Sequence, residues 1–192
     1  MNKNTKLILL SLYLFFAITL VWFLKLTYLS SLLIIFYIPA LINFLWLKNN
    51  RLKILLFSLL ALLFFAPPVE LLGRGANVWQ VQTIFPQLLG LLPIENFLFA
   101  FINFFWVLCF YEYFSADNKP YLISKKIWVL LGLYWLMDLS IFIYYVSSNN
   151  FIGLNYHWLA LPILIIPFIF IFYKRHKLLK QTLKTTFFFF LL

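Results

Sequence analysis

The sequence predicts an all-α fold, a polytopic transmembrane helical bundle of about six to seven spans with its N-terminus in the cytoplasm. Three observations lead there. The 192 residues are 65% hydrophobic and only 10% charged, against about 45–50% and 25% in a soluble domain. A small domain leaves a large share of its surface in water and could not hide that much apolar area. The apolar residues fall in long uncharged runs, and the basic residues cluster between them. This excludes a soluble enzyme, a disordered tail and a nucleic-acid-binding protein, although the net charge is +10.

The runs follow in order. Leu7–Leu24 carries 18 residues without a charge between Lys6 and Lys25. It is long for a signal peptide and no A-x-A-like site follows, so it is read as a retained span. Leu26–Leu47 gives 22 uncharged residues, enough to cross a hydrocarbon core of about 30 Å. A third span is expected from about Leu52 to Leu72 and a fourth from about Pro93 to Phe114. The fifth, Ile127–Val146, is interrupted by Asp138, and the sixth covers about His157–Tyr173. Between the last two runs, His176 and its basic neighbours read as a cytoplasmic loop, and Thr185–Leu192 as a short final run.

Orientation follows from the excess of bases on cytoplasmic loops. With the N-terminus inside, the inner side holds Lys3, Lys6, Lys48, Arg51, Lys53, Lys119, Lys125, Lys126, Lys174, Arg175, Lys177, Lys180 and Lys184. The outer side holds only Lys25 and Arg74. Tyr28 and Tyr156, and likewise Pro39 and Pro167, suggest an internal repeat. The expected division is a first membrane repeat over 1–120 and a second over 121–192 that is apparently incomplete.

Of five acidic residues, three lie at membrane depth: Glu70, Glu95 and Asp138. An ionisable group at a helix centre costs about 2.5–3.5 kcal/mol on insertion scales, so each is a functional candidate. The topology puts all three in the outer half of the bilayer, where they could share one site. Each also has a structural reading. Pro93 fits a first helical position with Glu95 in the first turn, where an acid complements the helix dipole. Glu70 can pair with Arg74 one turn on, and Asp138 with Tyr134 or Trp135. Glu112 and Asp117 sit beside Lys119 as flanking residues. The 20-residue connection 73–92 is unusually long and contains Gly73, Gly75, Asn77, Trp79, Gly90 and three glutamines, a length often tied to function. Gly73-Arg74-Gly75 lacks the third glycine of a dinucleotide fingerprint, Val78 standing in its place. The single cysteine, Cys109, and two histidines, His157 and His176, give neither a disulfide framework nor a di-iron site. A metal on Glu70, Glu95 and His157 is conceivable by residue type, but none is expected.

The runs Pro67-Pro68-Val69-Glu70, Asn77-Val78-Trp79 and Gly90-Leu91-Leu92-Pro93-Ile94-Glu95-Asn96-Phe97-Leu98-Phe99 together resemble the lycopene cyclase domain. The type meant is the small, flavin-independent, integral-membrane one, found as paired subunits or as two fused repeats. Leu26-Thr27-Tyr28-Leu29 with Pro39 also resembles its opening helix, and the best match covers 26–114. The family carries a second acid where this chain has Asn96, and Asn96 cannot donate a proton. The resemblance implies a carotenoid-biosynthetic isomerase of a bacterial cell membrane, turning a linear polyene end into a cyclic β-ionone end without a cofactor. Its partners would be membrane lipid, a lycopene-like carotenoid and a second cyclase half or a second copy of the chain. Such a reaction needs a protonated carboxylic acid, a base and a dry apolar cavity. Glu95 is expected as donor, with Glu70 or Asp138 as its base or electrostatic partner. Trp79, Phe97, Phe99, Tyr28 and Asn96 are expected around the substrate, aromatic faces stabilising a developing cation by about 0.5–2 kcal/mol each. A noncatalytic carotenoid-binding subunit is the alternative, and a small transporter a third reading.

Overall fold

The computed structural model describes residues 2–75, 84–88, 92–116 and 176–190, with isolated helical positions between 129 and 169. Asn2 opens helix α1, Lys3–Leu24, by accepting the Thr5 amide on its side chain at 2.8 Å. Lys25 closes it in the left-handed conformation (φ 49°), where a cation also complements the helix dipole. After Thr27, whose side chain caps the next helix, the chain runs through α2 (Tyr28–Leu32), a π-helical stretch (Leu33–Tyr37) and α3 (Ile38–Trp46).

Proline explains that change of winding. Pro39 has no N–H to give and its ring crowds the preceding turn. Upstream the ladder widens, and the Ile38 amide bonds back to the Leu33 carbonyl. The π-helical partner of the Ile34 carbonyl would be the N–H that Pro39 lacks. The Tyr13 hydroxyl of α1 donates to that carbonyl instead, at 2.8 Å. In lipid no water can take over such a group, so Tyr13 ties α1 to the point where the second helix is weakest. Tyr13→Phe should destabilise the fold by about 1–3 kcal/mol, the cost of an unmet buried acceptor. Denaturant titration in detergent measures this, and an unchanged midpoint would show that the carbonyl finds another donor.

Helix α4, Arg51–Gly75, follows and contains the expected third run together with Pro67 and Pro68. Its first residue reaches back, the Arg51 guanidinium donating to the carbonyls of Leu47 (2.8 Å) and Leu45 (2.9 Å) at the end of α3. Within the long connection, β1 (Gln87–Leu88) and β2 (Leu92–Pro93) form a two-residue antiparallel pair, Gln87 opposite Pro93 and Leu88 opposite Leu92. Helix α5, Ile94–Phe110, starts directly after Pro93 and ends in a second π-helical stretch, Tyr111–Ser115. Pro93 is thus the cap and Ile94 the first helical residue, one position later than the motif predicts. The last element, α6, is His176–Phe190. It corrects the expectation of a basic loop followed by a short apolar run, since both belong to one amphipathic helix.

Among the described residues, three helical segments are long and apolar enough to cross a membrane: Lys3–Leu24, Tyr28–Trp46 and Ile94–Ser115. They match the first, second and fourth expected runs closely. Phe15, Trp22 and Phe23 of α1 are each at least 75% exposed, an apolar surface of the kind lipid covers. Most of the fifth and sixth runs, and most of the suspected second repeat, lie outside the described residues.

Helix α5 is the hub, packed against α3 and α4. Its buried Ile102, Phe105, Trp106, Cys109 and Phe110 meet Leu10 and Leu14 of α1, Leu32, Ala40, Leu47 and Ile54. Aromatic edges join the layers: Phe36 meets Phe99 at 5.4 Å and Trp106 at 5.7 Å, both nearly perpendicular. At one end, Lys6 Nζ lies 4.8 Å from the Trp46 ring and 4.9 Å from that of Tyr113. This basic end unites the start of α1 with the ends of α3 and of the Ile94–Ser115 segment.

Candidate functional site

At the opposite end, the start of α2, the last turns of α4 and the first half of α5 enclose a cavity of about 480 Å³. Ala66, Val69 and Glu70 of α4 face it, spaced as neighbours on one helical side. From α5 come Asn96, Phe97, Phe99, Ala100, Asn103 and Phe104, and from α2 Tyr28. Among these residues Glu70 is the one acid, and it is only 5% exposed. Asn96 Nδ2 donates to Glu70 Oε2 at 2.8 Å, a contact across 26 residues that pins α4 to the start of α5. The remaining lining is mainly aromatic and aliphatic. An apolar cavity with few converging polar groups is the usual form of a small-molecule site, typically about 300–1,000 Å³.

Glu95 stands next to Asn96 but does not line this cavity. One helical residue turns the side chain by about 100°, and Glu95 addresses the connection before α5. Its Oε1 accepts the backbone amides of Ile84 at 2.5 Å and Phe85 at 2.8 Å. The side chain is 1% exposed, and Oε2 has no hydrogen-bond partner among the described residues. Glu95 thereby anchors the segment that carries β1 to the helix that carries the cavity.

Of the residues expected at a site, Glu70, Asn96, Tyr28, Phe97 and Phe99 thus come together around one cavity. Glu95 sits beside it in a different role. Asp138 and Trp79 lie outside the described residues, as does the Arg74 side chain proposed to pair with Glu70. Ala66, Val69, Ala100, Asn103 and Phe104 were not anticipated. Asn103 left a signal: it is a polar residue within an apolar run, seven positions after Asn96 and therefore on the same helical face. Among the described residues no three His, Cys, Asp or Glu side chains gather as a metal site. Cys109 is buried in the core.

No protein-family model matches the chain, and neither a curated protein nor a solved structure matches it.

Proposed function

We propose that the chain is a carotenoid cyclase-type isomerase, converting the linear end of a lycopene-like polyene into a β-ionone-type ring. The observation that carries this reading is a buried acid, Glu70, facing an otherwise mostly apolar, aromatic-lined cavity. Cyclisation moves protons without changing composition. The Glu70 carboxyl gives its proton to the terminal C=C of the polyene. The tertiary cation is attacked by the next suitably placed C=C, closing the ring and moving the positive charge onto the ring. A ring carbon then loses a proton to the Glu70 carboxylate, which restores the acid. No electron is gained or lost, and no cofactor is required.

The neighbouring groups have matching tasks. Asn96 donates to Oε2 and so fixes the plane of the carboxyl that would carry the proton. An acid at position 96 would compete for that proton, whereas the amide only orients it. The rings of Tyr28, Phe97, Phe99 and Phe104 border the cavity and would each favour a passing cation by about 0.5–2 kcal/mol. Geometry thus favours Glu70 as the acid that touches substrate. Glu95 holds the adjoining segment, and Asp138 is a further candidate base. The substrate, a C40-scale hydrocarbon, would enter from the bilayer with one end in the cavity.

In this reading α4 and the runs near 127–146 and 157–173 complete six to seven spans, with the N-terminus in the cytoplasm of a bacterial cell. The gathering of Lys3, Lys6 and Arg51 at the end away from the cavity supports that orientation. A second repeat, another copy or a separate cyclase half would supply a partner. The alternative, a carotenoid-binding subunit without catalysis, draws support from Asn96, which stands where the family resembled has an acid. Expression in lycopene-accumulating cells followed by chromatography of the pigments separates the two. Ring-bearing products are expected. Unchanged lycopene, with the protein shown to be in the membrane, would defeat the catalytic reading and leave the subunit.

A further inference from the structure

Helix α6 has no part in the cavity, and its surface points to a different partner. Five basic residues lie between Lys174 and Lys184, and no acid follows Asp138 in the chain. The helix is seated at the basic end of the bundle. Tyr111 Oη donates to Gln181 Oε1 at 3.0 Å, the Ser115 and Thr185 hydroxyls are 3.0 Å apart, and Phe188 stacks on Phe110 at 4.3 Å. These contacts bury Gln181 and Thr185 and orient the helix about its axis. The face left outward carries Lys180, Leu183, Lys184 and Phe187, with Leu183 57% and Phe187 63% exposed.

Lysines interleaved with large apolar residues suit neither bulk water nor the hydrocarbon core. They suit the boundary between headgroups and acyl chains, where both halves of the face are satisfied. Among the described residues, no acid contacts Lys180 or Lys184, so their charge is open to an outside anion. Glu112, the acid described at this end, accepts from Asn50 Nδ2 at 2.8 Å. We propose that the Lys180–Leu183–Lys184–Phe187 face of α6 lies on the membrane surface and binds the headgroups of anionic phospholipid. Each lysine at an anionic surface strengthens attachment about fivefold, so the pair contributes roughly 25-fold. This inference does not depend on the cyclase reading.

The test titrates the purified full chain in detergent with phosphatidylglycerol or phosphatidylcholine of the same acyl chains, and counts bound lipid by native mass spectrometry. Phosphatidylglycerol should bind preferentially. The double variant Lys180→Gln, Lys184→Gln should lose roughly 25-fold in that affinity. Its phosphatidylcholine binding should be unchanged, which also shows that it is folded. Lys25→Gln, at the other end of α1, should leave both lipids unaffected. Equal binding of the two lipids overturns the proposal, as does a preference that survives the double substitution. Displacement of phosphatidylglycerol by an equal concentration of inorganic phosphate overturns it too, because the site would then be one for free anions.

Discussion

Glu70→Gln should abolish ring formation while leaving the protein in the membrane at normal abundance. Glutamine preserves the size of the side chain, and its amide oxygen can still accept from Asn96 Nδ2, the bond that measures 2.8 Å in the parent chain. What it cannot do is release a proton at the pH of a cell. General acid catalysis contributes about 10²–10⁴-fold where a base and water can partly compensate. Here the proton starts the reaction, and the cavity is mainly apolar, so the loss should reach at least the upper part of that range. Pigment chromatography from cells expressing the variant gives the answer. Ring formation within tenfold of the parent chain would remove Glu70 from the chemistry and return attention to Glu95 and Asp138.

The second large effect separates two roles for Glu95. If this residue donates the proton, Glu95→Gln and Glu95→Leu should be equally inactive. If it holds the connection, the two variants should differ. Glutamine keeps an oxygen where Oε1 accepts the Ile84 and Phe85 amides, whereas leucine keeps none. Two lost bonds at about 0.5–1.5 kcal/mol each amount to about 1–3 kcal/mol. Amide exchange at Ile84 and Phe85 should then be roughly 5- to 150-fold faster in Glu95→Leu. In Glu95→Gln both exchange and ring formation should stay within a few-fold of the parent chain. Loss of ring formation in Glu95→Gln with slow exchange preserved would falsify the positioning role.

The helices long and apolar enough to cross a membrane were the most legible part of the fold. Lys3–Leu24, Tyr28–Trp46 and Ile94–Ser115 follow apolar runs bounded by charges or breakers, because hydrocarbon demands an unbroken helix of fixed length. Helix α6 was not legible in the same way. Its lysines suggested a loop, and only contact with Tyr111, Ser115 and Phe110 shows why Gln181, Thr185 and Phe188 form one inward-facing stripe. The Tyr13–Ile34 bond was equally hidden, since it joins residues 21 apart in the chain.

The sequence by itself determined which segments are long and apolar enough to cross a membrane, and which few acids would be costly enough there to need a reason. Composition and run length suffice for that, because the lipid solvent acts on each segment almost independently. The tertiary structure decided how neighbouring residues divide their tasks. Glu95 and Asn96 are adjacent in sequence, yet one holds the Ile84–Phe85 segment and the other turns to Glu70 across the cavity. That choice depends on the rotation of α5 about its own axis against α4. Rotation is set by packing between helices far apart in the chain, about which a local stretch of sequence carries no information.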